Sequence, residues 1–243
     1  MDQAPSAAEQ DYLKHIFALE QDVGRATTQA LAVRMGVKPA SVTSMVKRLA
    51  EDASGPYVTH TPYHGVALTE RGRAVALETV RCHRLIELFL STVLDVPWDR
   101  VHAEAERLEH YISEDIEERI AAKLGYPAYD PHGDPIPTRE GTLPSSDFTP
   151  LTSVGALGAA TVMRVPDGDP ALLQYLASLL LVPGAIVTLE GASPYGDVFT
   201  VRIGKEVHSL GGAIARRILV QPLVQRDDAW TPASRSVPAT ATR

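Results

Sequence analysis

Four residues near the middle of the chain combine metal-binding side chains with helical spacing. His102, Glu106, Glu109 and His110 would fall within one arc of roughly 100° on a helix. Carboxylates that converge on one face repel each other, and a bound divalent ion removes that cost. The segment is therefore a candidate metal site. The alternative is a charged, solvent-facing helix surface on which the histidines lie by chance.

Three further residues could complete such a site. His83 and Glu87 are four residues apart, which makes them neighbours on one face of another helix, and Asp11 lies on a first helix. The seven candidates offer only oxygen and imidazole donors, a set that suits Mn²⁺ or Fe²⁺, although zinc, cobalt and nickel would also bind. The single cysteine, Cys82, excludes an internal disulfide framework and an all-thiolate zinc site, and it is interpreted as structural.

Helices in the first half of the chain must position these residues. Apolar spacing predicts a first helix over residues 8–19, a second capped by Thr27 or Thr28, and a third that begins at Lys38-Pro39. A two-stranded hairpin follows, turning over residues 61–65. A fourth helix is predicted from Thr69 to about Leu94, and a fifth from about Pro97 to Leu124.

The third helix has one apolar and one polar face, as a DNA-reading helix requires. Two short helices joined through Gly36 and followed by a hairpin are typical of a winged helix-turn-helix. Small hydroxyl groups and cations on the polar face could reach bases and phosphates, whereas the alternative is an ordinary solvated surface. The candidate DNA-binding residues are Lys38, Ser41, Thr43, Ser44, Lys47 and Arg48.

The distribution of charge agrees with an anionic partner for this segment. The chain has 243 residues and a net charge of −7, yet residues 25–73 carry seven basic and three acidic side chains, a net +4. Residues 76–125 carry a net −5. A basic block followed by an acidic one indicates nucleic acid as the first partner and a cation as the second.

The second half of the chain predicts a linker and a small β domain. Six of the 18 prolines lie in residues 126–150, and the following segment has strand-like runs around a helix starting at Pro170, including a strand over 213–220. The predicted fold is a mainly α N-terminal half with a small C-terminal β-barrel. We expect domains at 1–75 (DNA binding), 76–125 (helical, metal binding), 126–150 (linker), 151–225 (β-barrel) and 226–243 (disordered tail). Without an apolar run of about 18 residues or a signal peptide, we expect a cytoplasmic protein with no membrane partner.

Several motifs together resemble the diphtheria-toxin-repressor family of metal-dependent transcription factors. They are Asp-Tyr-Leu at 11–13, Val-Thr-Ser-Met-Val-Lys-Arg-Leu at 42–49, Leu-Thr-Glu-Arg-Gly at 68–72, Cys-His-Arg-Leu-Ile-Glu at 82–87, Glu-Arg-Leu-Glu-His at 106–110 and Pro-His-Gly-Asp-Pro-Ile-Pro at 131–137. The resemblance implies a homodimer that takes Mn²⁺ or Fe²⁺ as corepressor and binds palindromic operators of metal-uptake genes. It also implies that the C-terminal domain is SH3-like.

The resemblance also implies a division of the metal ligands. Asp11, Glu106, Glu109 and His110 would form one site, and His83, Glu87 and His102 the other. The iron-responsive branch typically has methionine and cysteine at positions 11 and 106, so Asp11 and Glu106 favour Mn²⁺. The manganese branch commonly has glutamate where this chain has Lys14, which favours two separated sites over a close two-ion cluster. Asp167 or Asp169 could supply a further ligand.

Two other functions are compatible with parts of this pattern. A metal-independent winged-helix regulator that senses a small ligand would share the DNA-binding half but would have no use for the clustered donors. An enzyme is disfavoured, because neither His-x-x-Glu-His nor paired Glu-x-x-His motifs occur on these helices. The sequence therefore predicts a metal-dependent regulator without catalytic residues.

Overall fold

The computed structural model describes residues 4–61, 65–145, 147–155 and 158–223. The tip of the predicted hairpin and the predicted disordered tail lie outside these ranges. The first half contains α1 (Ala7–Val23), α2 (Thr28–Met35), α3 (Pro39–Ala50), β1 (Val58–Thr61), β2 (Gly65–Leu68), α4 (Glu70–Val93), α5 (Val101–Leu108) and α6 (Glu114–Lys123). None of the described helices is long and apolar enough to cross a membrane.

The predicted winged helix-turn-helix is confirmed in α2, α3 and the β1–β2 hairpin. The Thr27 hydroxyl accepts a hydrogen bond from the backbone of Ala30 and caps α2, which ends at Gly36 in the left-handed conformation. Pro39 occupies the first turn of α3, where its missing N–H is tolerated. The apolar stripe of α3 is buried in one core with residues of α1 and α4, namely Val42, Val46, Leu49, Leu13, Ile16, Leu77 and Val80. Helix α1 therefore packs on both the DNA-reading unit and the long α4.

The single fifth helix predicted over 97–124 is wrong, because the structure divides it into α5 and α6. After α5, Glu109 and His110 lie in a turn, and the Ser113 hydroxyl caps α6 by accepting a hydrogen bond from the backbone of Ile116. Acidic side chains at Glu114, Asp115 and Glu117 complement the positive end of the new helix. The break matters for the candidate metal site, because it places Glu109 and His110 in a turn and not on a continuous helix.

The C-terminal part is an antiparallel sheet with the order β3-β8-β4-β5-β6-β7. Its elements are β3 (Thr149–Pro150), β4 (Ala159–Arg164), α7 (Pro170–Ser178), β5 (Ile186–Ala192), β6 (Val198–Ile203), β7 (Glu206–Gly211), α8 (Gly212–Ala215) and β8 (Leu219–Pro222). The fold class is confirmed, but the described strands form an open sheet, which gives the barrel only loose support. The strand predicted over 213–220 is wrong: α8 occupies its first part and β8 only its end. Strand β7 was missed because only Leu210 of its six residues is buried, which leaves no alternating apolar pattern to recognise.

The proline-rich segment packs tightly between the helices and the sheet. One carboxylate oxygen of Asp130 accepts hydrogen bonds from the backbone of both His132 and Asp134, at 2.9 Å each. Gly133 has a φ of 91°, and a Cβ atom there would lie 1.8 Å from the carbonyl oxygen of Met163 in β4. This turn therefore lies against the sheet and places His132, which is fully buried, beneath α4.

Candidate metal centre

All seven predicted metal ligands lie in one connected network where α1, α4, α5 and the following turn meet. Asp11 comes from α1, two ligands come from α4, two from α5 and two from the turn that follows it. Within the described residues, three groups have ligand atoms that all lie within 4.8 Å of one another. These groups are Asp11 with Glu109 and His110; His83 with His102 and Glu106; and Glu87 with His132 and Asp167.

The first group joins α1 to the turn after α5. Nε2 of His110 lies 2.8 Å from a carboxylate oxygen of Asp11 and 3.4 Å from one of Glu109. Its Nδ1 lies 2.7 Å from the side-chain oxygen of Gln10. Since Gln10 and Asp11 are consecutive, one imidazole ring connects the start of α1 to the distant turn.

The second group is centred on His83, whose two ring nitrogens face different carboxylates. Nδ1 lies 2.5 Å from Glu109 and Nε2 lies 2.9 Å from Glu87, while His102 approaches the same Glu87 oxygen at 3.0 Å. Burial lowers the pKa of His83, but the charge of Glu87 and the bonds to both carboxylates outweigh burial and raise it to about 10. A hydrogen bond to Glu87 likewise raises the pKa of His102. A metal ion would have to replace one of the protons that these carboxylates hold on His83.

The third group contains His132, a residue that the sequence reasoning missed. His132 Nε2 donates a hydrogen bond to the backbone oxygen of Trp98 at 2.9 Å, which leaves Nδ1 with a lone pair. Nδ1 faces Glu87 Oε2 at 3.9 Å, and both atoms are buried with no hydrogen-bond partner among the described residues. Two buried acceptors that face each other repel unless a cation lies between them. The quoted motif at 131–137 contained the only available signal, but it was interpreted as part of a linker.

Asp167 and Asp169, the two candidate ligands that the C-terminal domain could supply, have different surroundings. Asp167 is half-buried and lies with Glu87 and His132. Asp169 is exposed and caps α7, accepting hydrogen bonds from the backbone of Ala171 and Leu172 at 2.9 and 3.3 Å. The geometry therefore favours Asp167 as the ligand candidate of this pair.

A second set of buried acids lies beside the third group. Asp134 forms ion pairs with Arg164 of β4 at 2.8 Å and with Arg84 of α4 at 3.2 Å. Burial, together with the charges of Asp134 and Glu87, raises the pKa of Asp130 well above its usual value. These contacts connect the sheet to α4 next to the candidate ligands.

The donor sets of the three groups fit a divalent cation. Each combines imidazole with carboxylate, and Glu87 Oε2 and His132 Nδ1 provide binding positions that the part of the chain described by the structure leaves unsatisfied. The buried thiol of Cys82 points elsewhere and donates to the backbone oxygen of Glu109 at 3.5 Å. Its pKa is raised by burial, so the thiol remains protonated and is a poor metal ligand.

Lys14 occupies the space between the first two groups. Its ammonium donates to Glu106 at 2.8 Å and to Glu109 at 2.6 Å. Burial lowers the pKa of Lys14, but the charges of Glu109 and Glu106 outweigh burial and raise it, so the side chain is a cation. Burial raises the pKa of Glu106, but Lys14, His83 and His102 together outweigh burial and lower it.

The candidate DNA-binding residues lie on the exposed face of α3. Lys38, Ser41, Thr43, Ser44, Lys47 and Arg48 are all exposed. The Thr43 hydroxyl donates to the backbone oxygen of Pro39 at 3.0 Å, and Arg48 forms an ion pair with Glu9 of α1. The face therefore presents hydroxyl groups and cations to solvent.

Comparison with known proteins identifies the family. Residues 6–66 match the model of the iron-dependent repressor N-terminal DNA-binding domain, residues 69–138 that of the iron-dependent repressor metal-binding and dimerisation domain, and residues 149–222 that of the FeoA domain. The chain is 34% identical over 222 residues to the iron-dependent repressor IdeR of Mycobacterium tuberculosis, covering 86% of this chain and 95% of IdeR. It is 31% identical over 122 residues to the transcriptional regulator MntR of Geobacillus kaustophilus, covering 50% of this chain and 84% of MntR.

A solved structure agrees with these matches. A manganese-dependent transcriptional repressor in complex with manganese superposes with a TM-score of 0.81 at 36% identity, over 88% of this chain and all of that one. The resemblance inferred from the motifs is confirmed, and the family consists of repressors, not enzymes. The chain therefore belongs to the iron-dependent repressor family of metal-dependent, DNA-binding transcriptional regulators.

Proposed function

We propose that this regulator is activated by Mn²⁺ and binds palindromic operators of metal-homeostasis genes as a homodimer. The observation that carries the proposal is the convergence of seven oxygen and imidazole donors from three helices and one turn. This donor set suits Mn²⁺, with Fe²⁺ as the second candidate. A bound divalent ion would supply the positive charge that lets the carboxylates and imidazoles remain together.

The proposed ligands are the seven residues predicted from the sequence, joined by His132 and Asp167. Asp11, Glu109 and His110 would hold one ion, with Glu106 available from α5. His83, His102 and Glu87 would serve a second, and Glu87 also faces His132 and Asp167. We further propose the domain division 1–75, 76–125, 126–150, 151–225 and 226–243, which the matched segments 6–66, 69–138 and 149–222 support.

Helix α1 is the proposed connection between the metal groups and the DNA-reading unit. Asp11 lies at the metal groups and Glu9 is paired with Arg48 of α3. Farther along α1, Glu20 accepts a hydrogen bond at 2.9 Å from the backbone of Leu68 in the β1–β2 hairpin, which is the wing of the winged helix-turn-helix. Fixing Asp11 therefore fixes the position of the recognition helix in each protomer. Palindromic DNA requires half-sites about 34–36 Å apart or a multiple of that, so metal would favour dimers with this spacing.

Metal-dependent DNA binding by two ligand variants tests the proposal. The probe is a DNA duplex selected from a random library by the Mn²⁺-loaded protein, and binding is followed by fluorescence anisotropy with and without Mn²⁺. Asp11→Ala and Glu106→Ala should lose most of the Mn²⁺-dependent gain in affinity, at least about tenfold. Glu104→Ala is the matched control, since Glu104 is on the same helix but pairs with Arg107. Unchanged metal dependence in both ligand variants would refute the coupling.

Two further measurements separate the remaining alternatives. DNA binding at fixed salt with Mn²⁺, Fe²⁺, Co²⁺ or Zn²⁺ ranks the activating metals. A calorimetric titration of the metal-free protein tests metal binding itself, and a titration that detected no binding would favour the metal-independent regulator.

Contact between α3 and phosphates is tested by the salt dependence of DNA binding. Affinity should fall steeply with salt if α3 contacts phosphates. Lys47→Ala should then reduce the slope of log K against log salt by about one unit.

A further inference from the structure

Lys14 lies one helical turn after Asp11 and points into the metal groups. Its side chain is only 9% exposed, and its ammonium lies 2.6 Å from Glu109, which is fully buried, and 2.8 Å from the partly exposed Glu106. Glu109 belongs to the group containing Asp11, while Glu106 belongs to the group containing His83 and His102. The ammonium therefore bridges the two groups and occupies the space that an ion shared by Glu106 and Glu109 would need.

A cation at this position has a definite electrostatic effect. Glu109 is buried, and its negative charge is compensated by Lys14 on one oxygen and by His83 on the other, so loss of the lysine would remove part of that compensation. A carboxylate offers about four acceptor positions, so Glu106 and Glu109 can each keep the lysine and still contribute to a metal group. A second divalent ion bridged between Glu106 and Glu109 would instead meet the lysine charge at hydrogen-bond distance.

We propose that Lys14 is a built-in cation that replaces one divalent ion between α1 and α5. It holds α1 against Glu106 and Glu109 before any metal binds, and it remains there when the separate groups are filled. The junction, by which we mean the meeting of α1 with Glu106 and Glu109, can therefore hold ions only in the separated groups. This inference rests on the proposed metal site and adds to it the number of ions that the junction accepts.

Three variants of the full chain test the role of the lysine charge. Lys14→Met removes the charge with little change in volume, Lys14→Arg keeps it, and Lys205→Met is a matched control on an exposed lysine outside both proposed binding sites. The measurements are the Mn²⁺ content per chain after equilibrium dialysis and the melting temperature with and without Mn²⁺. Lys14→Met should lower the melting temperature of the metal-free protein by several degrees, because it removes one of the two cations that face the buried Glu109 and leaves only His83.

The same variant should bind one more Mn²⁺ per chain and gain more melting temperature from Mn²⁺ than the wild type does. Lys14→Arg and Lys205→Met should keep the wild-type ion count. An unchanged ion count together with an unchanged response to Mn²⁺ in Lys14→Met would overturn the proposal. If the wild type itself bound no Mn²⁺, the proposed function would fail. The metal-free melting temperatures of Lys14→Met and Lys14→Arg would still test whether Lys14 holds α1 against Glu106 and Glu109.

A crystal structure of the Mn²⁺-loaded wild type provides a test that does not depend on folding of the variant. Anomalous scattering locates the ions directly. Lys14 should still donate to Glu106 and Glu109, with no ion shared by those two carboxylates. An ion bridging them, with the lysine displaced into solvent, would contradict the inference.

Discussion

Arg48 of the recognition helix is paired with Glu9 of α1 through two nitrogens. Its Nε and Nη2 lie 2.8 and 2.7 Å from the same Glu9 oxygen, while the other oxygen accepts a hydrogen bond from the backbone of Ser6. Burial raises the pKa of Glu9, but the bonds from Ser6 and Arg48 outweigh it and lower the pKa. A side chain proposed to contact DNA is thus held by the helix that carries Asp11.

Neutralising Glu9 should strengthen non-specific DNA binding. In Glu9→Gln the amide still caps α1, but Arg48 no longer faces a full negative charge and becomes available to phosphates. We expect a severalfold higher affinity for random-sequence DNA at low salt and a salt slope steeper by up to about one unit. The matched control is Glu51→Gln, which makes the same change in net charge at the exposed end of α3. Equal effects of both variants would mean that only net charge matters.

Asp167 and Asp169 should respond differently to substitution. Asp167→Ala removes an oxygen that faces Glu87 and His132, so one Mn²⁺ should bind at least about tenfold more weakly, as measured by calorimetry. Asp169→Ala should leave Mn²⁺ binding unchanged and lower the free energy of unfolding by about 1 kcal/mol, because α7 loses its cap. Weaker metal binding in the Asp169 variant alone would contradict the placement of the two residues.

The lowered pKa of His15 should make the free energy of unfolding decrease in acid. Burial, aided by the charges of Lys14 and Arg34, lowers its pKa from 6.5 to about 4. Between these values the unfolded chain binds the proton and the folded chain does not, so the free energy of unfolding falls as the pH falls from about 6.5 to 4. The contribution is up to about 3 kcal/mol. Urea unfolding at several pH values should show a shallower acid loss in His15→Gln than in the wild type, and parallel curves would disprove the assignment.

Gly133 should tolerate no side chain. Gly133→Ala places a methyl group against the backbone of Met163 at a positive φ, which should lower the free energy of unfolding by about 3 kcal/mol. Gly125→Ala is the control, because Gly125 also has a positive φ but a Cβ atom there would meet no described residue within 4 Å. Only the cost of the backbone conformation, about 1 kcal/mol, should remain there. Urea denaturation compares the two, and equal losses would show that the contact with β4 is unimportant.

The N-terminal half of the fold was predictable because its signals are local. Pro39 at the start of α3, Gly36 after α2 and the apolar stripe of α3 each determine structure within a few residues. The break between α5 and α6 was not predicted, because no proline or glycine interrupts residues 101–124. Its signal is the serine at 113 followed by acidic residues, which also occurs on helix surfaces.

The candidate metal ligands also divide into those with a local sequence signal and those without one. Spacing within a helix brought out His83 with Glu87 and His102 with Glu106, since neighbours four apart share a face. His132 could not be found in this way, because its approach to Glu87 depends on how the 130–137 turn packs between α4 and β4. Periodicity does not report such contacts between distant segments. The ion pair of Arg48 with Glu9 was missed for the same reason.

The continuity of α1 determines how this regulator can respond. Its 17 residues contain neither proline nor glycine, so the helix has no internal hinge. Glu9, Asp11 and Glu20 therefore keep fixed relative positions, and the recognition helix, the turn after α5 and the wing cannot adjust one at a time. Under the proposed coupling, partial saturation with metal should then change the fraction of competent protomers without creating a protomer in which the recognition helix responds and the wing does not.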